Sequence, residues 1–341
     1  MLTRLRFQLE AARRTVLLTA LLGLLMPILA QANSVPVTNC SVTNQICIQN
    51  QGGSATTNLD TSFSLSGATV TVIGNVIQPG VDELGSGRPV RTDELFEIGS
   101  ITKSFVALCL LQLRDEGKLD LARPVKSYLP WLRIEATLGP ISVHDLMTHG
   151  AGLADGPLFP ADPALVHRPS NPPGRDFHYC NMGWEALGHL LAALDGRPLA
   201  DAIRARIFAP LGMTASEPVT TFEIRERVAT SYVALLGDRP YPRRGRLAVA
   251  PTILTTSGAG CIAATPRDMG RYLQMLARRV ATARGPLVSA EAFRLFSTPH
   301  IVAAEFGNDA HYGYGIAVDR FDGLARLRHT GGLVSFAPPR T

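Results

Sequence analysis

Charged residues are scarce in this sequence: Lys and Arg number 33 and Asp and Glu 28 among 341 residues, whereas 46% of the residues are hydrophobic. The chain can therefore bury a sizeable core, as one large domain or two smaller ones. It has no Lys/Arg-dense stretch with interleaved aromatics, so the electrostatic footprint of a nucleic-acid-binding protein is missing. We expect no nucleic-acid partner.

Metal-binding motifs are also missing from the sequence. No C-x-x-C pair and no H-E-x-x-H occurs, and His144 and His149 are spaced so that they do not share a helix face. We therefore expect no metal and no cofactor. Cys40 and Cys47 lie in a polar segment, where either a local disulfide or two free thiols fits the sequence. Cys109 lies in an apolar segment and is expected to serve packing.

The chain has one long apolar run near its N-terminus, at residues 16–30. Four arginines precede this run, and Ala30-Gln31-Ala32 offers small residues for cleavage. The run is short for a permanent transmembrane helix, although a retained anchor is the alternative. We predict a signal peptide over residues 1–32 and an exported protein, periplasmic or secreted, without a stable membrane anchor. Its removal lowers the net charge from +5 to about +2, because residues 1–32 hold four Arg and one Glu.

The rest of the chain divides by composition. Residues 33–66 are rich in Ser, Thr, Asn, Gln and Gly, which predicts a polar linker. Strand-like runs near both ends of residues 67–341 enclose a helical middle, which predicts one α/β domain with a helical subdomain at roughly 118–250. Within it, the segment 101–113 is apolar on nearly every side and predicts a buried helix ending near Gly117.

The strongest chemical signal is Ser100 at the start of that helix, with Lys103 one helical turn later. A serine hydroxyl becomes a good nucleophile only when a neighbouring group takes its proton. A lysine among apolar residues has its charged form disfavoured and can act as that base when neutral. Free N–H groups at a helix start can also bind an oxyanion. Taken alone, S-x-x-K equally fits an ordinary helix start.

Tyr179 and Asn181 form a second signal. Residues two apart in an extended loop point the same way, so both side chains can face one pocket. The tyrosine can relay a proton, and the asparagine can hold an ammonium group or a substrate amide. A buried tyrosine beside a turn asparagine is the alternative interpretation.

The third signal ends the last strand-like run, where the sequence reads His329-Thr330-Gly331-Gly332. Two glycines let a substrate backbone lie close to the strand, and a main-chain N–H there can complete an oxyanion hole. A plain hairpin end has the same residue types. This signal therefore depends on the other two.

Together, S-x-x-K, Y-x-N and H-T-G in this order resemble the serine β-lactamase and penicillin-binding protein superfamily. The similarity is to its class C-like branch, which includes carboxypeptidases, esterases and D-amino-acid peptidases. Segments 141–153, 210–214 and 258–268 are similar to further motifs of that branch, so the resemblance covers about residues 87–335. It implies a β-lactamase/transpeptidase-like α/β (α+β) fold, with an antiparallel sheet flanked by helices and an all-helical subdomain.

The resemblance also implies roles for the residues. Ser100 would be acylated, Lys103 would be a base or proton carrier, and Tyr179 would be a general base. The backbone N–H groups of Ser100 and Gly332 would form the oxyanion hole. The substrate-binding residues would be Asn181, His329, Thr330, Gly331 and Gly332. Since His329 stands where many members have lysine, a dedicated β-lactamase is less expected than a small-ester or D-peptide hydrolase.

The ends of the chain depart from the family pattern. Residues 33–80 match poorly the helix and long strand pair that open the family fold. Members also continue past the H-T-G strand with two more strands and a closing helix, whereas this chain stops at Thr341. We hypothesise a C-terminally truncated relative whose H-T-G strand has little sheet to join, because a two-stranded hairpin is marginal in water. Its exposed edge would invite aggregation.

The sequence thus predicts a one-domain serine hydrolase that forms a covalent acyl-enzyme on Ser100. Its substrate would be an ester, a D-amino-acid peptide or a β-lactam. The alternative is a non-catalytic or acylation-only module that binds cell-wall peptide or penicillin and is inactive through truncation. In either case the expected partner is a small molecule or a peptide, cell-wall peptide among them.

Overall fold

A computed structural model describes residues 91–333, apart from 160, 163–164, 235–246 and 283–284, together with the backbone of four earlier strands. The predicted signal peptide over residues 1–32, Cys40, Cys47 and residues 334–341 lie outside the described residues. The α-helices of the described part are α1 (Thr102–Asp115), α2 (Val143–Met147), α3 (Asn181–Asp195), α4 (Leu199–Ile203), α5 (Ala209–Leu211), α6 (Pro266–Ala277) and α7 (Ala290–Ser297).

The strands are short apart from one hairpin. In chain order they are β1 (Gln45–Ile46), β2 (Gln49–Asn50), β3 (Thr56–Leu65), β4 (Ala68–Ile77), β5 (Phe96–Glu97), β6 (Tyr232–Ala234), β7 (Leu247–Val249), β8 (Ala263–Ala264), β9 (Ala281–Thr282), β10 (Gly285–Pro286), β11 (Ile301–Val302), β12 (His311–Tyr312), β13 (Ala317–Phe321), β14 (Leu324–Arg328) and β15 (Thr330–Gly331). The helices and strands together make the mixed α/β architecture that the sequence predicts.

Two sheets carry the fold. The first has the order β1-β14-β13-β12-β11 and is antiparallel except where β1 runs parallel to β14. The second has the order β15-β2-β4-β3. Three two-stranded pairs, β5-β8, β6-β7 and β9-β10, complete the set. His329 lies between β14 and β15, where the chain passes from the first sheet to the second.

Helix α1 lies at the centre of the core. Its residues from 105 to 111 are 0% exposed, which confirms the prediction of a helix buried on all sides and of Cys109 as a packing residue. Each fully buried leucine contributes roughly 1.5–3 kcal/mol relative to exposure. The helix closes in a Schellman motif, because Gly117 has φ +72° and the N–H groups of Gly117 and Lys118 bond to the carbonyls of Arg114 and Leu113.

Sequence-specific caps set the limits of the other helices. Helix α2 begins at a capping box, in which the Ser142 side chain accepts from the Asp145 N–H and the Asp145 carboxylate accepts from the Ser142 N–H. Helix α6 begins at Thr265, whose hydroxyl accepts from the Asp268 N–H. Helix α3 ends at Gly196 with φ +77°. Each of these caps is made by a residue type that favours its position.

The N-terminal part differs from its predictions. The segment predicted as a polar linker contains β1, β2 and β3. Strand β3 forms a long hairpin with β4, in which the two strands pair over ten residues. The signal was present: Leu59, Thr61, Phe63 and Leu65 alternate with polar residues, which is the period of a strand. The abundance of Ser, Thr and Asn outweighed it. The family fold opens with a long strand pair, which residues 33–80 were expected to match poorly. The β3-β4 hairpin is such a pair.

The H-T-G strand also differs from its prediction. Strand β15 pairs in parallel with β2, and β2 pairs with β4, so β15 joins a four-stranded sheet. The expectation that it would have little sheet to join is wrong, because the short strands of the supposed linker provide its neighbours. The bounds of the helical subdomain, roughly 118–250, remain a prediction. Within the described residues, no helix is both long enough and apolar enough to cross a membrane.

Candidate active site

The site begins at the turn that leads into α1. Ser100 lies in a single 3-10 turn, Gly99–Ile101, and α1 follows at once. This places Lys103 one turn further on, with its Nζ 2.9 Å from the Ser100 Oγ. The same Nζ donates to the Asn181 Oδ1 at 2.8 Å and to the Ala259 carbonyl at 2.8 Å. Three acceptors therefore fix the lysine head beside the serine hydroxyl.

The charge state of Lys103 is set by its burial. The side chain is fully buried in the apolar helix, and removal from water disfavours the ammonium form. Its pKa is lowered from 10.5 to about 7, although the nearby Asp155 carboxylate opposes the shift. A lysine with this pKa is partly neutral near neutral pH, so it can accept a proton from Ser100.

Tyr179, in the loop before α3, and Asn181, the first residue of α3, reach the same lysine. The Lys103 Nζ lies 4.9 Å from the centroid of the Tyr179 ring, and the tyrosine hydroxyl is hydrogen-bonded to Ser100. Burial raises the pKa of Tyr179 above its usual 10, with that hydrogen bond opposing the change. Cys180, between the two residues, is buried.

Asp155 organises this corner, although no sequence motif indicated it. Its carboxylate accepts hydrogen bonds from the N–H groups of Asn181 and Met182, at 2.7 and 3.1 Å, and thereby caps α3. It also accepts from the Asn181 Nδ2 at 2.9 Å. Since Nδ2 is held by Asp155, the Asn181 Oδ1 is turned towards Lys103. Asp155 precedes Asn181 by 26 residues, in an irregular loop without periodicity.

His329 is buried and electrically neutral. Its Nδ1 lies 2.6 Å from the Thr330 carbonyl, which can only accept, so this nitrogen carries the proton. Its Nε2 then accepts from the Tyr312 hydroxyl at 2.8 Å. Burial, and secondly the proximity of Lys103, lowers its pKa to about 3. Where a lysine would supply a positive charge, this site has an uncharged imidazole.

His149 supports Tyr179 from behind. The two rings are stacked with centroids 4.3 Å apart. The His149 Nδ1 faces the Cys180 N–H at 2.9 Å and its Nε2 faces the Trp184 Nε1–H at 3.1 Å. A neutral imidazole has one lone pair and satisfies one of these donors, whereas an imidazolium would satisfy neither. Burial accordingly lowers the pKa of His149 far below its usual value. It belongs to the segment 141–153 noted in the sequence, but no role was predicted for it.

The H-T-G strand lies directly beside the serine turn. Gly99 has φ +51°, and a Cβ built on it would meet the Gly332 nitrogen at 2.8 Å and its oxygen at 3.0 Å. A glycine is required here because any side chain would displace the strand. The close approach brings the Gly332 nitrogen next to the turn that carries Ser100.

The structure thus brings all the predicted site residues to one place. Ser100, Lys103, Tyr179 and Asn181 are joined by the contacts above, and β15, with Thr330 and Gly331, lies against the serine turn. Asp155, His149 and Tyr312 were missed, together with two phenylalanines, Phe177 and Phe306. Among the described residues, no group of His, Cys, Asp and Glu side chains is arranged to hold a metal ion.

The fold is of the β-lactamase/transpeptidase-like α/β class, with the serine turn, the α3 loop and the H-T-G strand meeting at one site. The chain belongs to the Beta-lactamase family, whose family model matches residues 55–338. The match begins inside the segment predicted as a linker, in agreement with the strands found there.

Individual relatives extend this assignment. The chain is 30% identical over 201 residues to penicillin-binding protein 4 of Amycolatopsis lactamdurans, covering 54% of this chain and 53%, about half, of that protein. It is 32% identical over 161 residues to the esterase EstB of Burkholderia gladioli, covering 39% and 41% of the two chains. The structure of D-amino acid amidase from Ochrobactrum anthropi SV3, complexed with L-phenylalanine amide, matches with a TM-score of 0.61 and 25% identity, covering 82% of this chain and 80% of that one. These relatives support a hydrolase of this superfamily.

Proposed function

We propose that this protein is a serine hydrolase that forms a covalent acyl-enzyme on Ser100. One observation carries the proposal: the Nζ of a fully buried lysine lies 2.9 Å from the serine hydroxyl, with a pKa lowered to about 7. An ordinary surface lysine is protonated at neutral pH and cannot act as a base. The buried position of Lys103 removes that obstacle.

In the acylation step, the Ser100 Oγ attacks the substrate carbonyl carbon while its proton passes to the neutral Lys103 amine. The oxygen of the tetrahedral intermediate is bound by the N–H groups of Ser100 and Gly332, each of which is worth about 3–4 kcal/mol in sites of this kind. The carbon–oxygen or carbon–nitrogen bond to the leaving group then breaks. The departing group takes a proton from Lys103 or Tyr179, and the acyl group stays on Ser100.

Deacylation needs a water molecule that loses a proton as it attacks the acyl carbon. Tyr179 is placed for this step because its hydroxyl is hydrogen-bonded to Ser100 and its ring lies beside the Lys103 amine. Its pKa is raised, so it acts as a neutral relay that passes the proton of the water to Lys103. The bond between the acyl carbon and the Ser100 Oγ then breaks, the acid leaves, and the Oγ takes the proton back from Lys103. Asn181, held by Asp155, keeps the lysine in register for both steps.

We infer that the substrate is an ester or a D-aminoacyl amide or peptide rather than a β-lactam. The support is the neutral state of His329, which takes from the site the positive charge that would pair with a substrate carboxylate. The esterase and the amidase among the relatives agree with this inference. We further propose that the protein is exported, as its N-terminal segment predicts.

The test is chemical labelling of the purified protein. A fluorophosphonate and, separately, a fluorescent penicillin are incubated with the protein and with a Ser100→Ala variant, and adducts are located by mass spectrometry. We expect the fluorophosphonate on Ser100 and none in the variant. Steady release of p-nitrophenol from p-nitrophenyl acetate shows turnover, whereas one burst without turnover shows the acylation-only alternative. A folded protein that takes no label at Ser100 would refute the proposal.

A further inference from the structure

One side of the candidate site is lined by aromatic rings. Phe177 and Tyr179 come from the loop before α3, and Phe306 comes from a 3-10 turn, Ala304–Phe306. We define these three residues as the aromatic wall. Their ring centroids are 6.1 to 6.5 Å apart in all three pairs, so the rings contact one another. All three side chains are partly exposed.

Buried groups hold the aromatic wall in place. The Tyr312 ring lies 5.4 Å from Phe177 and 5.5 Å from Phe306, and the His329 ring lies 5.6 Å from Phe306. Phe177 and Phe306 also pack against a small apolar cluster that contains Ala303 and Ala317. A wall fixed from behind presents the same surface before and after binding, so it loses little conformational freedom when a ligand covers it.

The charged groups around the wall are of both signs. His329 is uncharged, as described above. The Arg328 guanidinium bonds to the Phe306 carbonyl and pairs at 2.7 Å with the Asp319 carboxylate, which also pairs with Arg326. Glu305 precedes Phe306 and is exposed, and together with Asp155 it places negative charge near Tyr179. Charges of both signs therefore surround the wall, whereas the rings themselves offer an apolar surface to an uncharged group.

We propose that the aromatic wall is the subsite for an uncharged aromatic group on the acyl side of the substrate. The proposal rests on the serine hydrolase function proposed above. It follows from the position of the wall: Tyr179 is both its inner member and the neighbour of the Lys103 amine. A phenyl group one or two bonds from the scissile carbonyl contacts Phe177 and Phe306 while the carbonyl carbon reaches Ser100.

Three methyl esters test the subsite, because the leaving group is methanol in all of them and cannot itself occupy the wall. They are methyl phenylacetate, methyl acetate and monomethyl succinate, and hydrolysis is followed by acid release at constant pH. The wild-type protein should favour methyl phenylacetate over both methyl acetate and monomethyl succinate, because neither of these has a ring to contact the wall. In Phe306→Ala, kcat/KM for methyl phenylacetate should fall about tenfold and that for methyl acetate should change little.

Control variants separate the subsite from folding and from the chemistry. Phe222→Ala removes an exposed phenylalanine elsewhere and should leave the preference unchanged. If Phe306→Ala is poorly folded, Phe306→Leu takes its place in the test. It keeps apolar volume and should retain part of the preference for methyl phenylacetate. The rate of Ser100 labelling by a small alkyl fluorophosphonate should be equal in all variants. Labelling without an aromatic preference, or a preference that survives Phe306→Ala, would overturn the subsite, whereas absence of labelling would overturn the hydrolase function itself.

Discussion

The rate of Ser100 acylation should follow the titration of Lys103. Its pKa is lowered from 10.5 to about 7, a change that corresponds to about 5 kcal/mol against the ammonium form. Because only the neutral amine accepts the serine proton, the rate should rise with pH and level off above the pKa. About half of the molecules are active at pH 7, and about one in a hundred at pH 5. The rise from pH 5 to pH 9 is therefore about a hundredfold.

The other basic groups of the site do not produce this profile. His329 has a pKa of about 3 and the pKa of His149 lies far below its usual value, so neither titrates near pH 7. The pKa of Tyr179 is raised above 10. A midpoint near pH 7 would therefore report Lys103.

The assay is the second-order rate constant for fluorophosphonate labelling of Ser100, measured from pH 5 to pH 9. Lys103→Met, an unbranched side chain of similar length, should fold and lose the pH-dependent rate. His178→Asn removes an exposed histidine next to Tyr179 and should leave the midpoint unchanged. A flat profile, a midpoint above pH 9, or a rate that survives Lys103→Met would refute the neutral-lysine mechanism.

Three further substitutions test the groups around Lys103. Asp155→Asn should move the midpoint of the labelling profile to lower pH, because the carboxylate raises the pKa of Lys103; Asp176→Asn, in the same loop, should leave it unchanged. Gly99→Ala should slow labelling by about 10² to 10³, as expected for the loss of one oxyanion-hole donor. Gly117→Ala is the control: Gly117 has φ +72° but open space around it, so the substitution should strain the backbone without displacing a neighbouring strand. Tyr312→Phe leaves the buried His329 Nε2 without its donor and should cost about 1–3 kcal/mol of unfolding free energy in thermal denaturation. An unchanged midpoint, labelling rate or melting temperature, respectively, would contradict these expectations.

Local chemistry explains which parts of the fold could be predicted. The capping box at Ser142, the Thr265 cap and the left-handed Gly196 each depend on residues within one turn, so the sequence contains the whole interaction. The strands β1 and β2 are two residues long and depend on β14 and β15 nearly three hundred positions away. A composition rich in Ser, Thr and Asn conceals such strands, because their pairing is decided by the distant partner.

The site divides in the same way. Ser100 and Lys103 are one helical turn apart, and Tyr179 and Asn181 are two residues apart where the loop meets α3. These short spacings indicated that the members of each pair lie together. Asp155 reaches Asn181 across 26 residues. It caps α3 because Cys180, the residue at the N-cap position, makes no side-chain hydrogen bond there. Phe306 likewise has no local pattern. Its place beside Tyr179 is visible only once β11, β12 and the 3-10 turn between them are folded.

Burial and neighbouring basic groups disfavour a charge on both histidines of the site. Burial is the largest cause; Lys103 lowers the pKa of His329 further, and Lys103 and His329 lower that of His149. Only Lys103 has a carboxylate, Asp155, acting in the opposite direction. The ordinary pKa of lysine is 10.5 and that of histidine is 6.5, so the same kind of lowering brings Lys103 to about 7 while both imidazoles stay uncharged near neutral pH. Because the Asp155 carboxylate raises the pKa of Lys103, neutralising it should move the Lys103 titration to lower pH, and both histidines should remain neutral around pH 7.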